Sequence, residues 1–213
     1  IDLFIDSNYF NQPLGNTSIG EREIDAQTWS STEYVSTTMN GVETVFGVNF
    51  VDGRIKGYPK YKPGSGNANT MYFRMVRGNT SYGVNDFTDN GDGTVSDNAT
   101  GLMWQESDDG TTRDWENALS YAENLTLAEH SDWRLPSAKE LQSIVDYSRS
   151  PETTQSAAID PLFNCTAITN EAGEVDYPFY WSGTTHANWS NMSGANAAYV
   201  SFGRAMGYMD SWM

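Results

Sequence analysis

The stretch FTDNGDGTVSDNATGLMWQ, Phe87 to Gln105, decides the fold because it places two glycine-containing turns between three short strand-like segments. The sequences NGDG and NATG supply Asn, Asp and Gly where a tight chain reversal needs a positive φ angle. The pattern therefore predicts three strands joined by tight turns: Phe87–Asp89, Thr94–Asp97 and Leu102–Gln105.

A helix is predicted directly after these strands, within residues 111–127. Its apolar residues recur at helical spacing and would form one buried face. Thr112 is the expected N-cap, and the acidic residues that follow it favour the first turn. The members of the expected buried face are Trp115, Ala118, Leu119, Ala122 and Leu125.

A second helix is predicted after the sequence DWRLP. Ser137 and Glu140 have the S-x-x-E spacing of a capping box. A buried stripe follows the box, formed by Leu141, Ile144 and Val145. Trp133 and Pro136 belong to the structural motif that leads into this helix. Arg134 has two interpretations: it grips a ligand carboxylate, or it is buried against an acidic side chain and fixes the start of the helix. The structural interpretation is favoured.

The remaining sequence is rich in loops and short strands. Strands are predicted at Tyr180–Ser182, Ala198–Phe202, Thr28–Ser31, Thr44–Phe50, Arg54–Tyr58 and Tyr72–Arg77. Two helices with many short, mostly antiparallel strands define an α+β fold.

An internal repeat is the most informative feature of the whole chain. Three segments recur in the same order: IDLF and IDPLF, TWSSTE and YWSGTT, VNFVDGRIKGY and VSFGRAMGY. Trp29 precedes Phe50 by 21 residues, and Trp181 precedes Phe202 by the same 21 residues. Since the tryptophans recur, they are interpreted as core residues.

The repeat predicts how the domains are arranged. Residues 1–78 are expected to be the C-terminal half of a first unit, residues 79–86 a linker, and residues 87–213 a second unit without its C-terminal end. On this hypothesis the chain is a piece of a longer protein.

Composition and charge exclude some classes of function. The chain of 213 residues carries 28 acidic and 12 basic residues, a net charge of −16, so it would repel the phosphates of nucleic acid. Cys165 is the only cysteine, which excludes an internal disulfide and a cysteine-based structural zinc site. The apolar runs are too short for membrane insertion. High Asn, Thr, Ser, Gly and Tyr with little Cys and Lys is typical of bacterial secreted proteins.

Six segments together resemble the Lcl C-terminal domain family, which occurs in bacterial surface and secreted proteins. They are GDGTVSDNATGLMWQ, WENALSYAENL, DWRLPSAKELQSIVDY, IDPLF, YWSGTT and FGRAMGY. The resemblance implies a fold like that of C-type lectins and sulfatase-modifying factors, with two helices beside small, loop-rich sheets. The founding member of the family is a collagen-like adhesin whose terminal domain binds sulfated polysaccharide and trimerises. The strong negative charge of this chain does not suit a sulfated ligand.

The resemblance and the composition favour an extracellular or cell-surface binding module that recognises a glycan or another surface polymer, or a protein partner. The alternative is a structural subunit of an extracellular filament or surface assembly, and self-association is compatible with both. An enzyme is the third hypothesis, and no catalytic residue is assigned. His186 is its main candidate.

Two sets of residues are candidates for a site. Asp89, Asp92 and Asp97 form either a calcium site or two turns whose side chains cap their own backbone. The turns are favoured, and no other cofactor is expected. Exposed aromatic rings can stack on sugar faces, and the aromatic residues considered for this role are Trp181, Trp189, Tyr199, Tyr208 and Trp212. The candidate ligand-binding residues chosen are Trp189, Trp212, Tyr208 and His186.

Overall fold

The computed structural model describes residues 3–38, 41–186 and 194–204. The chain divides into two compact units, residues 1–79 (unit 1) and residues 80–213 (unit 2). Within the described residues, no helix has the length and apolar character needed to cross a membrane.

Unit 1 is built on one four-stranded sheet. A short 3₁₀ helix, Thr17–Ile19, precedes four strands with the spatial order β3-β2-β1-β4. Strand β4 runs parallel to β1, and the other neighbours are antiparallel. The strands are β1 (Gln27–Thr38), β2 (Val42–Asn49), β3 (Ile55–Pro59) and β4 (Tyr72–Phe73).

Two of these strands differ from the sequence prediction by four residues or more in length. Strand β1 runs seven residues beyond the predicted Ser31, because β2 pairs with it as far as Thr38 despite two irregularities in register. Strand β4 has two residues instead of the predicted six, since its described pairing with β1 is confined to Tyr72 and Phe73.

Unit 2 opens with a three-stranded antiparallel meander. Strands β5 (Phe87–Asp89), β6 (Thr94–Asp97) and β7 (Leu102–Gln105) have the predicted bounds. Gly91, Gly93 and Gly101 adopt positive φ angles in the two turns, as the NGDG and NATG sequences require.

Two helices follow the meander, α1 (Trp115–Asn124) and α2 (Ala138–Ser143). The predicted N-cap of α1 is wrong: Asp114 rather than Thr112 caps the helix, because its carboxylate accepts the hydrogen bond from Asn117 N–H. Every residue of the predicted buried face of α1 is buried or half-buried. Helix α2 has six residues and starts with both hydrogen bonds of the Ser137–Glu140 capping box.

The rest of unit 2 contains two antiparallel hairpins. Strands β8 (Ile168–Thr169) and β9 (Val175–Asp176) form a small one, and β10 (Phe179–Thr185) and β11 (Ala197–Ser201) a larger one. Two helices with short, mostly antiparallel strands confirm the predicted α+β class.

The hydrophobic core lies in unit 2. It joins the meander, helix α2 and the larger hairpin around eight buried side chains. These are Val95, Leu141, Ile144, Ala157, Ile159, Phe163, Val200 and Phe202. The core fixes one face of the β10–β11 hairpin, and its other face bears the candidate site.

Candidate functional site: an aromatic strip on the last hairpin

Three exposed rings line the outer face of the β10–β11 hairpin. Successive side chains of a strand point to opposite faces, so Tyr180 and Ser182 face the core while Phe179 and Trp181 face outward. Tyr199 lies opposite Trp181 on β11. The exposed fractions are 47% for Phe179, 37% for Trp181 and 57% for Tyr199. We call these three residues the aromatic strip.

The rings of the aromatic strip contact one another edge to face. The ring centroid of Tyr199 lies 5.0 Å from that of Phe179 and 6.3 Å from that of Trp181, with interplanar angles of 79° and 83°. Both distances fall in the range of favourable aromatic pairs. The strip is therefore an ordered apolar surface.

A hydrogen bond fixes the orientation of Trp181. Its indole N–H donates to the carbonyl of Arg113 at 3.1 Å. The Arg113 guanidinium is itself held by two bonds to Asp109, at 2.6 and 3.0 Å, and lies 4.0 Å over the ring of Tyr121. The hydrogen bond to Asp109 is the largest effect that raises the pKa of Arg113 above its ordinary value. The loop before α1 thus positions one end of the strip, the ring of Trp181.

A shallow cavity of about 230 Å³ adjoins the strip, and Phe179 lines both. Polar groups from the β8–β9 hairpin complete its wall, so it combines an aromatic ring with hydrogen-bonding side chains. The other residues that line the cavity are Ile168, Thr169, Asn170, Glu171, Asp176 and Tyr177.

Asp176 supports this cavity from a buried position. Its Oδ1 accepts hydrogen bonds from Tyr177 N–H and Arg204 N–H, both at 2.9 Å, and its Oδ2 accepts one from Asn170 at 3.2 Å. The Arg204 guanidinium bonds to Glu152 and to the Val175 carbonyl. Burial alone would lower the pKa of Arg204, and the hydrogen bond and charge of Glu152 outweigh it, so the pKa is raised.

A second polar network lies beneath the strip. The Tyr180 hydroxyl donates to Asp108 at 2.6 Å, and Thr166 donates to the same carboxylate through its N–H and its hydroxyl. Burial and the bond to Asp108 raise the pKa of Tyr180, and burial raises the pKa of the half-buried Cys165 thiol. The phenol and the thiol are therefore neutral at pH 7, and the network ties β10 to the chain after β7.

The three aspartates of the turn region bind their own backbone. Asp89 Oδ1 accepts from Gly91 N–H at 2.7 Å, and Asp92 Oδ1 accepts from the Thr94 N–H and hydroxyl at 3.1 and 2.6 Å. Asp97 is buried and takes four donors: Asn85 Nδ2, Asp86 N–H, Ala99 N–H and the Thr100 hydroxyl. Burial would raise the pKa of Asp97, but these bonds outweigh it and hold the pKa below its ordinary value.

The same aspartates give no convergent metal site in the part of the chain that is described. Among those residues, no three His, Cys, Asp or Glu side chains come together as metal ligands would. The geometry of Asp89, Asp92 and Asp97 is that of turn caps.

The DWRLP motif holds the start of α2. Arg134 binds Glu140 through two bonds at 2.7 and 2.9 Å, and Glu140 also accepts from Ser137 N–H at 2.7 Å. Arg134 is exposed rather than buried as expected: its side chain is 60% exposed, while that of its partner Glu140 is 25% exposed. Trp133 donates its indole N–H to the Leu127 carbonyl at 3.3 Å, and half-buried Pro136 accepts from Gly183 N–H at 2.8 Å through its carbonyl.

The other candidate ligand residues divide into two groups. His186 follows β10, and its backbone bonds to Asn196 and Gly194 close the end of the hairpin. Trp189, Tyr208 and Trp212 lie outside the described residues.

The sequence pointed to the aromatic strip only in part: Trp181 and Tyr199 were considered as exposed rings but not chosen, and Phe179 was missed. The recurrence of Trp29 and Trp181 favours a core position, yet Trp181 lies on the outer face of the hairpin. The usable signal was the alternation in FYWS, which places Phe179 and Trp181 on one face of a strand and Tyr180 and Ser182 on the other.

Unit 2 is thus an α+β domain in which a meander and two short helices support a hairpin with an exposed aromatic face. The family model described as the Lcl C-terminal domain matches residues 93–211, and the chain belongs to this family. No curated protein matches the chain. No solved structure matches it either.

Proposed function

We propose that this protein is a secreted or surface-displayed bacterial binding module of C-type-lectin-like type, and that its aromatic strip binds a neutral glycan. The observation that carries the proposal is the strip itself. Three large rings are exposed together on one hairpin and contact one another, and contiguous exposed aromatic surface often marks an interaction site.

The chemistry of a sugar ring suits such a surface. The C–H faces of a hexose are flat and apolar, and they stack on aromatic rings, while the hydroxyl groups at the ring edge seek hydrogen bonds. Thr169, Asn170 and Glu171 supply such bonding groups around the adjoining cavity. The strip and the cavity together fit a ligand of more than one sugar unit.

The charge distribution favours a neutral ligand. Unit 1 holds eight acidic and seven basic residues, so it is nearly neutral, while unit 2 holds twenty acidic and five basic residues. A unit with a net charge of −15 repels sulfate and carboxylate groups. We therefore expect neutral polysaccharides to bind more tightly than sulfated ones.

A glycan array tests the proposal. The wild-type chain should bind neutral oligosaccharides, and Trp181→Ala should lower that binding about tenfold or more, since an aromatic hot-spot contact contributes about 1.4 kcal/mol or more. Tyr82→Ala is the matched control, because Tyr82 is 89% exposed and lies outside the strip. Equal binding by wild type and Trp181→Ala would contradict the proposal.

A structural role in an extracellular assembly is the second candidate function. The exposed apolar side chains of unit 1, among them Phe4, Phe10, Phe73 and Val76, favour it. Analytical ultracentrifugation distinguishes the two functions. A sedimentation coefficient that increases with protein concentration supports assembly, and a monodisperse chain that binds the array supports the glycan module.

The proposed role is binding without catalysis. Ser182 is the serine nearest to His186 along β10. It is fully buried, and its hydroxyl donates to the Ala198 carbonyl. His186 follows the end of β10 and is not part of the aromatic strip, so His186→Ala should leave glycan binding unchanged although the sequence made His186 a candidate ligand residue. A hydrolytic activity on the bound glycan that disappears in His186→Ala would overturn this part of the proposal.

A further inference from the structure

The two units contain hairpins with the same register. In unit 1, Thr28 pairs with Val48, Trp29 with Gly47 and Glu33 with Val45. In unit 2, the residues 152 positions later pair in the same way, Tyr180 with Val200, Trp181 with Tyr199 and Thr185 with Ala197. Even the irregularity between the second and third pair falls at the same place.

Side-chain hydrogen bonds repeat at the same offset. Ser30 donates its hydroxyl to the Phe46 carbonyl at 2.7 Å, and Ser182 donates to the Ala198 carbonyl at 2.9 Å. Each serine then accepts from the N–H two residues later, at 3.1 Å in unit 1 and 3.2 Å in unit 2. The same pair of bonds at the same offset indicates that the two hairpins share one fold.

A turn before each hairpin also repeats. Asp6 Oδ1 accepts from Asn8 N–H at 2.9 Å, and Asp160 Oδ1 accepts from Leu162 N–H at 2.9 Å. Phe4 N–H donates to the Phe50 carbonyl as Ala158 N–H donates to the Phe202 carbonyl. These bonds align Ile5 and Asp6 with Ile159 and Asp160. The sequence match of IDLF with IDPLF instead aligned Ile1 with Ile159, so the structural alignment lies four residues later in unit 1.

In unit 2 the inner face of the hairpin is covered by the preceding segment. Val95 of β6, Leu141 of α2 and Ile144, which directly follows α2, pack into one cluster with Val200 and Phe202. Three hydrogen bonds secure the cover: Trp115 Nε1 to Ser182 O at 2.8 Å, Gly183 N to Pro136 O at 2.8 Å, and Ala138 N to the Thr184 hydroxyl at 3.0 Å.

In unit 1 the matching face has no comparable apolar cover among the described residues, although Thr28 is buried there. Ala26 is the only buried apolar side chain described there. Phe163 is 9% exposed in unit 2, while its counterpart Tyr9 is 83% exposed. Ser182 is fully buried and its counterpart Ser30 is exposed. Val48 and Phe50 are half-buried where Val200 and Phe202 are buried.

We propose that the inner face of unit 1 binds a segment of the β5-to-α2 kind, a three-stranded meander followed by two capped helices, supplied by a further Lcl-type module. Unit 2 shows the occupant that this face fits, because the two hairpins share register, bulge and side-chain bonds. In unit 2, the covering segment hydrogen-bonds to Ser182, Gly183 and Thr184. The residues at the matching positions of unit 1 are Ser30, Ser31 and Thr32.

Two features of unit 1 admit this occupant. Thr32 carries the same hydroxyl as Thr184, and a Cβ at Gly183 would lie 3.4 Å from its nearest neighbour, so Ser31 fits at the matching position. The covering segment of unit 2, residues 80–157, has fifteen acidic and four basic residues, whereas unit 1 is nearly neutral. A covering segment of this charge meets less repulsion on unit 1 than on unit 2.

A chimeric chain tests the proposal. A second copy of residues 80–157 is placed directly before Phe4, which is the counterpart of Ala158, and hydrogen exchange is followed by mass spectrometry. Amides of β1 and β2 should exchange at least tenfold more slowly than in the parent chain, because a covered sheet opens less often. The dye ANS, which binds exposed apolar surface, should lose fluorescence as well.

The matched control carries Leu141→Asp and Ile144→Asp in the added copy only, which removes the apolar contacts while keeping the chain length. It should exchange like the parent. The proposal is overturned if the chimera and the parent show equal exchange in β1 and β2. It is also overturned if the parent is already protected there by forming a dimer at low micromolar concentration, since the occupant would then be a second copy of the chain.

Discussion

At the scale of single residues, charged side chains mainly fix turns and helix starts. Asp97 is the clearest case, because a buried carboxylate takes four donors within the β5–β7 meander. The sequence showed that aspartates recur in this stretch, but it could not show which one is buried. Burial depends on Asn85 and Asp86 folding back on Asp97 across the meander.

Replacing Asp97 with asparagine should destabilise unit 2 by about 2–3 kcal/mol, since an amide removes the charge and turns one acceptor into a donor that faces other donors. Urea unfolding monitored by circular dichroism measures this change. Asp89→Asn is the control, because Asp89 is exposed and accepts one bond from Gly91, and it should cost less than about 1 kcal/mol. Equal losses would contradict the assigned role of Asp97.

Calcium should leave the thermal unfolding of the chain unchanged. The four donors of the protein already occupy the carboxylate of Asp97, and Asp89 and Asp92 bond to their own turns. Differential scanning calorimetry with millimolar calcium and with EDTA makes the comparison. A reversible rise of several degrees would show a ligand that binds the folded state, and would make these residues a metal site.

Glu140 should make stability depend on pH. The hydrogen bond from Arg134 is the largest cause that lowers the pKa of Glu140 to about 2. A carboxylate with a lowered folded pKa stabilises the fold above its unfolded pKa of about 4.5, and this stabilisation is lost as the pH falls towards 2. Glu140→Gln should cost about 1 kcal/mol at pH 7 after solvent screening, and progressively less below pH 4.5.

A double-mutant cycle with Arg134→Gln isolates the ion pair. The double variant should be no less stable than Glu140→Gln alone, apart from small independent effects. A pH profile that stays parallel to that of the wild type down to pH 2 would show that Glu140 does not titrate with a lowered pKa.

At the scale of elements, the sequence predicted the features that depend on neighbouring residues, such as turns, and missed those that depend on distant pairing. The NGDG and NATG turns gave the three meander strands with their observed bounds, because both turns need glycine at fixed places. The start of α1 was misplaced because Thr112 and Asp114 are both good caps, and only the bond to Asn117 separates them. The length of β1 depends on β2, which lies beyond any local window.

The junction after β11 should be intolerant of any side chain. A Cβ at Gly203 would clash with Asp176 Oδ1 and lie 2.5 Å from the Tyr177 carbonyl oxygen. Gly203→Ala should therefore cost more than about 2 kcal/mol in urea unfolding, since backbone must move to make room. Gly183→Ala is the control, with its nearest atom at 3.4 Å, and a loss as large as that of Gly203→Ala would contradict the packing described.

The aromatic strip shows where element-level prediction stops. Alternation along β10 separates its two faces, but it does not say which face meets the core. That choice is made by Val95, Leu141 and Ile144, which pack against the Val200 face of the hairpin. Because Trp181 recurs in the repeat, the sequence predicted a core position for it, and its exposure was therefore missed.

At the scale of the whole molecule, the two units differ in how they are stabilised. Unit 2 has an apolar core, while the described part of unit 1 is held chiefly by strand pairing and polar contacts. Hydrogen exchange at rising urea should therefore show β1 and β2 opening at lower urea than β6 and β10. Simultaneous opening of all four strands would contradict a separate, weaker unit 1.

The binding of a neutral glycan by the aromatic strip is the central claim, and isothermal titration tests it most directly. The strongest oligosaccharide from the array is titrated into the wild type, Trp181→Ala and Tyr82→Ala, with circular dichroism to show that all three are folded. The Kd should be at least tenfold weaker for Trp181→Ala and unchanged for Tyr82→Ala. An unchanged Kd for Trp181→Ala, or tighter binding of a sulfated oligosaccharide than of a neutral one, would contradict it.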